Sequence, residues 1–398
     1  MSTPDRPAGD DNPFAGLPFL GDLMAMLGSQ GGSPWDAATQ MAVSIATGGS
    51  SESNVDPAAR IELEQFARIA AMHVEEVTGL PLRGAGGDLA VLPVTRSQWA
   101  HQTVRDYRPL FEKLSAALNR PPNAAQDDGA KDPMAAMFSG IMSMMAPLML
   151  GMTTGSMVGH LAEKALGTYH LPLARPTCAV VQLVAPNIDA FAEQWSIEPR
   201  DLRMWVCLSE LTHHAVLSLP HVEAKLSELL ERYVSAFRAD PAALEQALGG
   251  LDVSSMSDLD GLRSLFNDPT VLLGVIRSPE QQAMLPSLEA LIAVVLGYVD
   301  HVIDQLAHRL LGSAGRLTEA LRRRRVEAGD ADQFVARMLG LELTQASYDR
   351  GASFVAGVLE RAGVNGLARL WEQTETLPTP AEITAPGLWL ARVEFISR

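Results

Sequence analysis

The sequence predicts a mainly α-helical protein with a few short strands, an α+β chain in which helix dominates. Three observations carry this. Apolar residues recur every three or four positions over long stretches, as in Ile61, Leu63, Phe66, Ile69, Ala70 and Val74. Runs with strand character are short: Ala179 to Val184 (A-V-V-Q-L-V), bounded by Pro176 and Pro186, and Leu89 to Val94. The chain is 398 residues long, 47% hydrophobic and 20% charged, ample for one large domain or two to three lobes.

Taken in order, residues 1–55 read as an N-terminal arm and loop. Asn12 to Leu27 is short, apolar and broken by Gly and Pro, the pattern of a docking arm; a Gly/Ser loop follows at Gly28 to Ser33. Trp35 to Thr47 is helix-like, and Gly48 to Asn54 is a loop. Residues 56–175 form a helical region. Asp56 is placed as a cap and Pro57 at the first turn of a helix that runs to Thr78. A further helix starts at Thr95 or Ser97 and ends near Asn119, and Arg120 to Asp132 is a polar linker. Pro133 to Gly159 carries no charged residue and is rich in Met. Its length could span a bilayer. However, Pro147 and many Gly, Ser and Thr make a buried helical hairpin the expectation, with close helix contact through Gly151, Gly155 and Gly159.

Residues 176–311 read as the core. It holds the strand 179–184, a short helix over 187–195, a central helix over 201–219 and the helix His221 to Phe237. Residues 239–280 read as short helices and loops, and a long helix covers 285–311. Residues 312–398 form a C-terminal helical region. It has helices over 334–339, 348–362 and 364–371, and a terminal segment from Pro378 that docks on the body. The run Arg322 to Arg325 reads as a solvated helix face.

The formal net charge of -16 argues against a nucleic-acid partner, which would need a basic face. Cys178 and Cys207 are too few for a disulfide framework. Cys207 reads as a small buried hydrophobe. Met1 to Asp11 is acidic and Pro-rich, without the basic start and apolar run of a signal peptide, so a cytoplasmic location is expected. Association with a membrane is not.

The chemistry-bearing stretch is Trp205 to Leu219, W-V-C-L-S-E-L-T-H-H-A-V-L-S-L. Helical periodicity sets Trp205, Leu208, Thr212 and Val216 near one stripe, with Ser209 and His213 one turn apart on the next. Ser209-Glu210-Leu211-Thr212-His213 is one change away from H-E-x-x-H. In that motif two imidazoles on one helix face hold zinc and the Glu serves as general base. Serine is not a usual zinc ligand. On spacing alone, an ordinary helix with a half-buried His accounts for the pattern.

A third ligand for such a site must come from another element. The place for it is Val295 to His301, where Asp300 follows Leu296 by one turn. Several further segments resemble one family. They are N-P-F-A-G-L-P-F-L-G-D-L near the start, N-V-D-P-A-A-R at 54–60, M-L-G-M-T-T-G-S-M-V-G-H-L-A at 149–162, P-N-I-D-A-F-A-E-Q-W at 186–195, G-Y-V-D-H-V-I-D at 297–304 and W-E-Q-T-E-T-L-P-T at 371–379. Together with the central helix, they are similar to the actinobacterial zincin-like hydrolases, or zinc-dependent metalloproteases, over about Asn12 to Val393.

The resemblance implies a zincin-like metallopeptidase architecture. It also implies a family site with His at position 209 and Glu at position 296. Glu210, His213 and Asp300 match that pattern as general base, one ligand and a carboxylate orienting a ligand; Ser209 and Leu296 stand where two ligands are lost. The expected function is a catalytically inactive pseudo-metallopeptidase with a binding or scaffolding role, a protein or peptide partner and no cofactor. The alternative is an active zinc-dependent metallohydrolase with a metal site rebuilt from His214, Asp300, His301 or Asp304.

Overall fold

The computed structural model describes residues 33–84, 87–118, 150–175, 180–237, 278–312, 314–326, 330–341 and 343–396. The N-terminal arm, the polar linker, the Met-rich positions 133–149 and the segment 239–277 lie outside the described residues. Helix dominates, as the periodicity predicts, and among the described residues one parallel strand pair sits among the helices.

Helix α1, Pro34–Ala46, begins at a capping box between Ser33 and Asp36. Helix α2, Pro57–Thr78, begins where Asp56 accepts a hydrogen bond from the backbone N–H of Ala59 at 2.9 Å, and Gly79 at φ 67° ends it. A two-residue hairpin, β1 Arg83–Gly84 and β2 Gly87–Asp88, follows. Its strands are too short to leave a period-2 signature, and the sequence reading has no counterpart for it. Strand β3, Ala90–Val94, pairs in parallel with β4, Val180–Val184, in a register running from Ala90↔Val180 to Val94↔Val184. A parallel pair needs a long crossover. Here it contains α3, Arg96–Leu118, and helix α4, described over 150–162.

The glycines of α4 do make a close helix contact, and their partner is α1. A Cβ on Gly155 would lie 2.4 Å from the Ala38 carbonyl oxygen, and one on Gly151 2.9 Å from that of Pro34. The fully buried Ala38 and Ala42 form the opposing small-residue stripe. The first arm of the expected hairpin falls outside the described residues.

Helices α5, Ala185–Trp195, α6, Pro199–Leu217, and α7, Pro220–Ser235, follow β4 with Pro at each first turn. Helix α8 spans Pro279–Leu310, starting six residues before the expected position. The capping box of Ser278 and Gln281 decides the start, and Pro286 is accommodated inside. Among the described residues, α8 is the one helix long and apolar enough to cross a membrane by length and composition, and most of it is buried in the protein.

Helices α9, Ala314–Val326, and α10, Asp330–Leu339, lead to α11, Gln345–Ala368. Gly363, at φ 63° and ψ -167°, breaks α11 into the two helices read from the sequence. Helices α8 and α11 cross with their backbones touching: a Cβ on Gly351 would stand 1.8 Å from the Ala293 carbonyl oxygen. The terminal segment docks, as expected, through α12, Pro380–Ile383, and α13, Pro386–Ile396. Trp389 is fully buried there and donates Nε1–H to the Thr376 carbonyl at 2.7 Å. Buried apolar side chains from Ala38 to Val393 form one continuous core.

Candidate functional site

Helix α6 runs through the middle of this core. From Val206 to Leu217 every residue is buried. A helix buried all round must satisfy its polar side chains locally. Thr212 donates Oγ1–H to the Leu208 carbonyl at 2.7 Å. His213 Nδ1 sits 2.9 Å from the Ser209 carbonyl oxygen. Only a protonated Nδ1 can donate to a carbonyl, so in the neutral ring Nε2 keeps its lone pair. The His213 ring lies parallel to Tyr169, with centroids 5.9 Å apart and planes at 12°.

Tyr169 belongs to a short 3₁₀ turn, Thr168–His170, which is the second wall of the site. Its backbone N–H donates to Glu210 Oε2 at 2.8 Å, and the Thr168 N–H also bonds to this carboxyl. The turn reaches Glu210 only because residue 167 is glycine: a Cβ there would stand 2.4 Å from Glu210 Cδ. Trp99 Nε1–H holds the Gly167 carbonyl at 2.8 Å. Behind the turn the buried Arg175 donates to the Thr168 carbonyl at 2.7 Å and to Asp106 at 2.8 Å, and its cation lies 5.0 Å from the centre of the Tyr107 ring. Burial pushes the Glu210 carboxyl up to about 8, against the pull of the two backbone N–H groups and the Arg175 charge.

Helix α8 packs across α6 and brings the other half of the expected constellation. Ser209, Glu210 and His213 from α6, and Leu296 and Asp300 from α8, line one cavity of about 660 Å³. Positions 209, 213, 296 and 300 therefore all face one cavity. Of the rebuilt-site candidates, Asp300 lines this cavity and the other three do not. His214 is fully buried, with Nδ1 2.9 Å from the Tyr169 hydroxyl. His301 and Asp304 line an adjoining cavity of about 250 Å³ that also includes Asp300, and His301 Nε2 pairs with the side chain of Gln305 at 2.8 Å.

One sequence expectation is corrected at this cavity. Arg322 and Arg323 are solvated, but Arg324 turns inward and lines the site, its guanidinium 5.1 Å from the centre of the Phe191 ring. A run of four arginines on a helix cannot put every member in water once one face packs. Burial lowers the Arg324 pKa to about 10. His170 is held down at about 3, first by burial and then by the Arg324 charge, and its buried Nε2 has no hydrogen-bond partner among the described residues. The glycine-led turn at 167–170 also escaped the sequence reading; G-T-Y-H has no period, and only the unexplained Gly167 marks it.

The donor set does not fit zinc. Among the described residues, no group of three or more His, Cys, Asp or Glu is arranged to hold a metal ion. Beside His213, Ser209 of α6 and Leu296 of α8 present a hydroxyl and an alkyl side chain to the cavity, and Glu210 is tied to backbone N–H groups. That leaves one imidazole, where zinc needs three protein ligands for catalysis.

The profile of the family described as zincin-like metallopeptidase matches residues 34–390, through α1 to α13. The chain belongs to the zincin-like metallopeptidase family. A crystal structure from Chloroflexus aurantiacus, described as a candidate hydrolase with a novel fold, shares the fold of this zincin-like chain. It is 22% identical with a TM-score of 0.63, over 90% of this chain and 98% of the other. No curated protein matches the sequence. Zinc is the usual metal of zincins.

Proposed function

We propose that this zincin-like chain is a pseudo-metallopeptidase: its metal site is degenerate, it carries out no zinc-dependent hydrolysis, and its role is to bind or scaffold a protein or peptide partner in the cytoplasm. One observation carries the reading. The two cavity-facing positions from which α6 and α8 would contribute ligands beside His213 hold Ser209 and Leu296. Leu296 is only 2% exposed and packs in the core, so it is part of the apolar structure rather than a loose substitution. Burial pushes the Glu210 pKa up to about 8, and its carboxyl is tied to the backbone N–H groups of Tyr169 and Thr168.

Metal content tests this. The purified protein, saturated with zinc and then dialysed, is expected to retain far less than one zinc per chain. Retention of one zinc per chain, lost on His213→Ala with the fold intact, would sink the proposal and favour the rebuilt hydrolase.

A further inference from the structure

We propose that the cavity beside α6 binds a small carboxylic acid with an apolar body, its carboxylate held by the guanidinium groups of Arg96 and Arg324. The inference rests on reading the site as a binding cavity rather than a metal centre.

Both guanidiniums line the cavity, and both are anchored by one nitrogen only. Arg324 donates Nη2–H to the Lys164 carbonyl and stacks on Phe191. Arg96 donates Nε–H to Asn187 Oδ1. The orientation of Asn187 is decided by its amide nitrogen, which donates to the carbonyls of Ala162 and Ala165 at 2.8 and 2.7 Å and leaves Oδ1 as the acceptor. Asn187 and Phe191 are one turn apart on α5, so the two arginines approach neighbouring positions on the same helix. Among the described residues neither guanidinium forms an ion pair with a carboxylate. The nearby Lys164 ammonium is different: it is paired with Asp332. Arg324 feels the charge of Asp332, which also lines the cavity, but Asp332 is paired directly with Lys164, so the forked N–H donors of both arginines are left for an arriving oxyanion.

The rest of the cavity sets the body of the ligand. Trp195, Trp205, Leu321, Val335 and Leu343 supply apolar wall, and about 660 Å³ suits a molecule of amino-acid to drug size. Asp300 and Glu163 line the same space. Their charge repels a second negative charge on the ligand, which favours a carboxylate over a phosphate dianion.

Titration calorimetry on the full chain, kept free of metal with chelator, tests the assignment with N-acetyl-L-phenylalanine, its C-terminal amide and phenyl phosphate. The acid is expected to bind, with the amide at least about tenfold weaker. Arg324→Gln and Arg96→Gln should each weaken the acid by about 10- to 100-fold, while Arg322→Gln on the solvated face should change nothing. Arg324→Lys, which keeps the charge and loses the fork, separates recognition from folding, with circular dichroism as the check on structure. Equal binding of acid and amide, tighter binding of phenyl phosphate, a folded Arg324→Gln that binds as the parent does, or no binding of the acid up to about 10 mM would each overturn the proposal. Because chelator is present throughout, these outcomes are independent of zinc retention, which judges the pseudo-metallopeptidase reading.

Discussion

The backbone N–H of Tyr169 donates to the Glu210 carboxyl at 2.8 Å while the ring of the same tyrosine lies parallel to His213, the two centroids 5.9 Å apart. One residue on a 3₁₀ turn thus fixes both chemically active side chains of α6. Gly167 allows the approach, and Arg175 and Trp99 hold the turn from behind. The motif helix supplies the groups, and the turn sets how they are oriented and how dry they are.

The Glu210 carboxyl predicts a pH-dependent stability. Its pKa rises from an ordinary 4.5 to about 8 in the folded protein, so the folded state holds the proton more tightly than the unfolded chain. This contribution is full below the unfolded pKa and is lost as pH rises through about 8. Glu210→Gln keeps the shape and an acceptor for the Tyr169 N–H but cannot ionise. Between about pH 5 and pH 8 the parent should lose stability relative to Glu210→Gln, by up to a few kcal/mol, read from urea unfolding. A difference between the two proteins that stays constant across that range would count against a buried, proton-holding carboxyl.

The crossing of α8 and α11 predicts an unusual cost for a methyl group. A Cβ on Gly351 would meet the Ala293 carbonyl oxygen at 1.8 Å, and one on Gly297 would meet the Gly351 carbonyl carbon at 2.1 Å. Backbone cannot give way as a flexible side chain can. Gly351→Ala should therefore destabilise by about 3 kcal/mol or more and drive α8 and α11 apart. Gly315→Ala, where nothing lies within 4 Å, should be neutral or slightly stabilising because alanine favours helix. Thermal melts of the two variants compare them directly; equal melting temperatures would mean the helices are not in backbone contact.

What could be read from the residues alone follows from this geometry. Ser209, Glu210 and His213 share one side of a helix because of its period, and so do Leu296 and Asp300. Resemblance to a family supplied the one step that periodicity cannot, which helix faces which. Arg324 was hidden because a run of four arginines looks uniformly polar, and only packing decides which member turns inward. Gly297 and Gly351 carry no side chain for a periodic pattern to register, yet they are the contact between α8 and α11. The α1–α4 pairing was hidden for the same reason: Gly155 announces a close approach without naming Ala38 as its partner.

Restoring the lost ligands gives the most demanding prediction. Ser209→His sets a second imidazole one turn before His213, and Leu296→Glu sets a carboxylate on α8 facing the same cavity. Either change alone leaves fewer than three ligands and should add little zinc affinity. Together they make three, with Glu210 and Asp300 beside them, so the double variant should bind zinc far more tightly than the sum of the singles allows. Leu296 is 2% exposed, so a carboxylate there without metal should destabilise the metal-free protein by a few kcal/mol. Zinc at about a hundred times its dissociation constant should return about 2.7 kcal/mol, seen as a zinc-dependent rise in melting temperature. The parent and both single variants should show no comparable rise. A double variant that is folded by circular dichroism yet melts at the same temperature with and without zinc would mean that positions 209, 213 and 296 do not converge closely enough to share an ion. The description of this chain as a metallopeptidase scaffold that lost its ligands would then have to be abandoned.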